Sequence, residues 1–192
     1  MSEAMIRGAW LIAGVKFMRA HFSAETNEYL LASLPKALRS SLAELQPVQW
    51  CPRAHHVEML RAIAAAHRDE AAAQASLLAY GQSAANDATS GAWRPLSRIL
   101  TPKLLGRKLP NFWLNDHQED GVLESDIAQI AEGRLPFTLS AIDGYDNVGI
   151  ATLGWIKGLL LALGRKDVTV QQSGWSLHKP GPSAMTCEVR WS

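Results

Sequence analysis

The side chains with most scope for chemistry in this 192-residue chain are six histidines, two cysteines and seven tryptophans. Cys51 and His55 stand four apart, one helical turn, but two ligands do not make a zinc site, and two cysteines cannot supply an all-sulfur one. His55 and His56 are adjacent, so a helix points them to different sides; structural or surface roles account for both. His117 lies between Asp116 and Glu119. A carboxylate there raises a histidine pKa and can make the ring a proton carrier, while a solvated polar loop is the plainer account. The chain has no Gly-x-x-x-x-Gly-Lys-Ser/Thr loop and no Gly-x-Ser-x-Gly elbow, and Gly149, Gly154, Gly158 and Gly164 lack dinucleotide-binding spacing. With no nucleophile–base pair and no metal cluster to read, the expectation is a non-enzyme with no catalytic residue, metal or cofactor.

Trp10, Trp50, Trp93, Trp113, Trp155, Trp175 and Trp191 are spread along the chain. Each reads first as core, with its indole N–H needing a partner, and second as the wall of an aromatic cavity. Charge totals only +1 but is segregated locally. Arg94, Arg98, Lys103, Arg107 and Lys108 share fifteen residues that contain no acid, and Asp116, Glu119, Asp120, Glu124 and Asp126 follow. This is either a solvated helix face beside an acidic loop or a docking surface, for a partner or for a second copy with the patches exchanged. Nucleic acid is not expected, because the neighbouring acids repel phosphate.

Positioning these residues requires a core, and a composition of 47% hydrophobic and 19% charged residues supplies one. The length fits a single domain over 1–192, helical over 1–115 and sheet-forming over 120–192. Helical spacing runs from Ile6 to Phe22, then from a Ser23 cap to Leu34, from Pro35 to Gln46, and from near Pro52 onward. A fifth helix spans Ala71 to Thr89 with Gly81 as an interruption, and a sixth spans Trp93 to Leu105, broken or restarted at Pro102. Val122–Ala131 and Leu135–Ile142 read as a hairpin joined at Glu132-Gly133, followed by a helix to Leu163 and strands at Val168–Val170 and Met185–Trp191. Helices, then two strands, a helix and two strands make an α+β fold. The apolar run Gly149–Leu163 is shorter than the roughly 20 residues of a membrane span. Without a signal-peptide pattern, and with only two thiols, a cytoplasmic location is expected.

The run Gly154-Trp-Ile-Lys-Gly158-Leu-Leu-Leu-Ala-Leu-Gly164, then Val168-Thr-Val170 and Thr186-Cys187-Glu-Val189, resembles one superfamily. It groups the heme-nitric-oxide-binding (H-NOX) domains, the four-vinyl-reductase-type small-molecule-binding domains and the TRAPP vesicle-tethering subunits. Ala79-Tyr-Gly81-Gln, Thr89-Ser-Gly91, Pro102-Lys-Leu-Leu and Leu109-Pro110 resemble more specifically a paralogous family abundant in myxobacteria. The resemblance implies about six helices layered on a four-stranded antiparallel sheet. Heme-binding members ligate iron through a histidine, and His117 falls in that region. They hold the propionates with Tyr-x-Ser-x-Arg, whereas Phe137-Thr-Leu-Ser-Ala-Ile-Asp143 has neither tyrosine nor arginine, so no heme residue is carried over. Cys187 stands alone and does not match the zinc cysteines of phenol-sensing relatives.

Two functions follow. The first expectation is a non-enzymatic regulatory or adaptor module acting by protein contact, paired as a homodimer as TRAPP-like relatives are, with Arg94, Arg98, Lys103, Arg107 and Lys108 as its contact surface. The alternative is a sensor that holds a small apolar or aromatic ligand between helices and sheet, walled by Trp113, Tyr145 and Trp155 with His117 beside them.

Overall fold

In a computed structural model, residues 3–90, 100–140, 146–173 and 184–192 are described. Expectations for Trp93, Arg94, Arg98, Tyr145 and Trp175 lie outside these residues. The N-terminal part opens with a short strand, β1 (Met5–Arg7), rather than starting its helix at Ile6. It continues through α1 (Gly8–His21), α2 (Ala24–Ser33) and α3 (Lys36–Ser41). Ser23 caps α2 as its position suggested, its hydroxyl accepting from the Thr26 backbone N–H. Then come β2 (Trp50–Pro52), α4 (Arg53–Ala65) and α5 (Glu70–Ser90).

The next helix, α6, runs Pro102–Asp116, so the chain restarts its helix at Pro102, one of the two outcomes expected there, and continues past the expected end at Leu105. That proline occupies the first helical position, where its missing N–H costs nothing, and the Thr101 hydroxyl caps the turn by accepting from Leu104. Pro110 lies inside α6. The helical hydrogen bond it cannot make would go to the Gly106 carbonyl, which instead accepts from the Ser125 hydroxyl at 2.6 Å.

Beyond α6 lie β3 (His117–Gln118), β4 (Val122–Ser125), a 3-10 turn (Ile130–Glu132) and β5 (Arg134–Ser140). The expected first strand of the hairpin is therefore cut short at Ser125. α7 (Asp146–Ala162), β6 (Thr169–Gln172) and β7 (Ala184–Arg190) complete the chain. The fold is α+β, and its described helices number six before the sheet and one within it.

The main sheet is antiparallel in the order β4-β5-β7-β6. Leu135, Phe137 and Leu139 of β5 and Met185, Cys187 and Val189 of β7 turn inward, while the alternate residues face out. A second, three-stranded sheet, β2-β1-β3, was not foreseen. It pairs Ile6 with both Cys51 and His117, so it ties the start of α1 and of α4 to the end of α6.

Helix α7 lies between the sheet and the helical layer and packs along α5. The two backbones nearly touch. A Cβ at Gly81 would meet the Ala151 carbonyl, and one at Gly154 would meet the Leu78 carbonyl, each closer than any real contact. Gly81 thus belongs to a continuous α5, and glycine stands there because only a missing side chain lets α7 come so close.

Candidate functional site

The site forms where the end of α6, the start of α1 and the middle of α7 converge. Trp113 and His117 are one helical turn apart, and their rings stack at 3.6 Å with 7° between planes. The indole N–H of Trp113 donates to the carbonyls of Asp120 and Gly121 at 3.0 and 3.3 Å, pinning the turn that follows β3. Within that turn Glu119 takes a left-handed conformation, φ 54°, unusual for a side chain other than Gly or Asn. The reversal brings the Asp120 carboxylate back onto the His117 ring, with Nδ1 2.7 Å from Oδ2.

Asp120 also pairs with Arg53, the first residue of α4, and all three groups are buried, Arg53 at 6%, His117 at 3% and Asp120 at 2% exposure. This corrects two expectations. His117 is not in a solvated loop, and Asp120 belongs to no exposed acidic patch. A carboxylate held by arginine accepts only, so the imidazole donates from Nδ1 and its neutral form carries a lone pair at Nε2. That nitrogen is buried without a hydrogen-bond partner.

A second histidine also packs against Trp10, whose ring centroid lies 5.6 Å from that of His56 and 5.9 Å from that of His117. The Tyr80 hydroxyl donates to the Trp10 carbonyl at 2.9 Å, so His56 donates to that hydroxyl from Nε2 at 3.0 Å. Burial, with His117 and Arg53 adding to it, pushes His56 down to about 3. It is a neutral structural histidine.

His117 lines a chamber of about 10 Å³, room for one water, together with Trp10, Leu109, Phe112, Trp113, Asp116, Leu123, Thr152 and Trp155. Of the expected ligand-wall residues, the structure brings Trp113, His117 and Trp155 together there. Trp10, Phe112 and Asp116 were missed, although the tryptophan spacing of the sequence had marked Trp10 as core.

Trp10, Asp116 and Trp155 form a partition. On its far side lies a cleft of about 200 Å³, walled by Ala9, Ala13, Ala84 and Ala88 and rimmed by the exposed Lys16–Asp87 ion pair. The Trp10 indole donates to Asp116 at 3.2 Å. Burial raises the Asp116 pKa, and His117, the Trp10 hydrogen bond and Arg7 offset part of that rise. Of the expected partner-contact residues, Lys103, Arg107 and Lys108 are exposed on α6 and form no ion pair among the described residues.

No protein-family profile matches the chain, and no curated protein sequence does. Solved structures do. An H-NOX protein from S. oneidensis in the Fe(II)NO state superposes with TM-score 0.67 at 12% identity, over 97% of this chain and 99% of that one. The Fe(II) unliganded H-NOX protein from K. algicida gives 0.68 at 10% identity, over 97% of each chain. This is the H-NOX fold. An oxygen-binding H-NOX domain related to soluble guanylate cyclases gives 0.62 at 12% identity over 97% of this chain and 95% of that one. Identity at this level extends the likeness to the H-NOX fold and no further.

Heme is the group this fold brings to mind, and His117 has part of the chemistry for it. A metal-binding histidine commonly donates its second nitrogen to a carboxylate, as His117 does to Asp120. The space does not fit. The indoles of Trp10 and Trp155 and the Phe112 ring line the chamber beside His117, which holds the volume of one water. Along β5, Thr138 and Ser140 offer hydroxyls where a propionate clamp needs tyrosine and arginine.

Proposed function

We propose that the chain is a non-enzymatic sensor that takes a small, mostly apolar molecule in the cleft over Trp10 and Trp155. The carrying observation is the shared partition: a ligand in the cleft presses on the side chains that enclose His117. Occupancy is thereby linked to the Asp120–Arg53 pair and to the short strands that join α1, α4 and α6. A cavity of roughly 150 Å³ accepts benzene, so a cleft of about 200 Å³ suits a phenyl ring with two or three further atoms.

The test is a tryptophan-fluorescence titration with 2-phenylethanol. The expected outcome is a saturable change with a dissociation constant of about a millimolar or below. Ala88→Phe, which fills the cleft from a half-buried position, should abolish it while leaving the circular dichroism unchanged. No saturable change in the unaltered protein would refute the reading.

Lys103, Arg107 and Lys108, exposed and without an ion pair among the described residues, favour a second reading, a protein-contact adaptor paired as a homodimer through helical faces. Sedimentation at low and high salt tests it. A dimer that weakens with salt and with charge reversal at Arg107 would support it, and a monomer throughout would remove it.

A further inference from the structure

We propose that the cleft selects a small organic cation, a primary ammonium on a phenyl-sized apolar body, with Asp116 as its counter-ion. This deepens the ligand-holding reading and rests on it. Two carboxylates line the cleft, and only one is neutralised: Asp87 is held by Lys16 at 2.9 Å, outside at the rim. Asp116, half-buried where the cleft is lined by Trp10 and Trp155, accepts one hydrogen bond, from Trp10, and has no ion pair among the described residues.

The cations nearest to Asp116 are committed elsewhere. Arg7 donates to the carbonyls of Asn115 and Val48 and lies 3.8 Å over the Trp50 ring. His117 gives its Nδ1 proton to Asp120. An ammonium would restore the charge balance that burial denies Asp116 and would meet the faces of Trp10 and Trp155, which attract cations. The alanine walls leave room for the apolar body and offer it no polar competitor.

The experiment compares three probes of one shape against the intact protein at pH 7: phenethylammonium, 2-phenylethanol and 3-phenylpropanoate. The expected order is ammonium over alcohol by about tenfold, with the carboxylate weakest. Asp116→Asn, whose amide oxygen still accepts from Trp10, should bring the ammonium and the alcohol to within about twofold of each other. Alcohol binding equal to or tighter than ammonium binding would overturn the charge selection and leave the apolar site standing. Failure of all three probes to bind would overturn both.

Discussion

Asp120 is the residue on which the site turns. Its carboxylate serves two buried cationic or proton-donating partners at once, so removing it takes a buried ion-pair partner from Arg53 and frees the His117 ring. Asp120→Ala is therefore expected to cost about 3–5 kcal/mol in urea unfolding, far more than the same change at the exposed Glu119. His56 makes a different prediction. Its ordinary pKa of 6.5 falls to about 3 in the fold, so the unfolded chain binds the extra proton between those values. Stability is complete above about pH 6.5 and declines as pH falls toward 3, and His56→Gln should flatten that part of the profile. An unchanged slope would assign the loss to another group. His117, Trp113 and Trp155 could be singled out in the sequence by type. The partner of His117 could not, because pairing with Asp120 depends on the left-handed Glu119, a conformation that residue type disfavours.

At the scale of elements, long patterns were legible and short ones were not. The helices α1, α2, α4, α5 and α7 follow the apolar spacing closely, and β5 and β7 show full alternation. β1, β2 and β3 have two or three residues each, too few to display a period of two, so the second sheet has no sequence signature. Pro102 begins a helix, the restart its position allowed, whereas Gly81 misled, because it permits a contact rather than breaking its helix. Gly81→Ala places a methyl group against the Ala151 carbonyl, where backbone must move. It is expected to destabilise by about 3 kcal/mol, read as a lowered thermal midpoint, although alanine is the better helix former. A raised midpoint would mean that α5 and α7 do not cross as described.

Across the whole molecule, the helical layer on a four-stranded sheet was readable from the order of elements and from the final third of the sequence, and the solved H-NOX structures share it over almost the full chain. What fills the interior was not readable, since seven tryptophans serve a packed core or a lined cavity equally well. Addition of hemin is expected to give no stoichiometric complex and no sharpened Soret band, because the indoles would have to leave the core. No described helix is long and apolar enough to cross a membrane.

The pairing of Ile6 with His117 also predicts an order of events during folding. These two positions lie more than a hundred residues apart, and closing so long a loop is entropically slow compared with forming any one helix. The β1–β2 ribbon, spanning under fifty residues, is positioned to form first and to wait for its third strand. A chain emerging from the ribosome would build α1 through α5 before the histidine of the site exists. The pocket wall is thus among the last parts of the molecule to be completed, and with Trp113 stacked on His117, its completion should register as the final quenching phase of tryptophan emission in refolding.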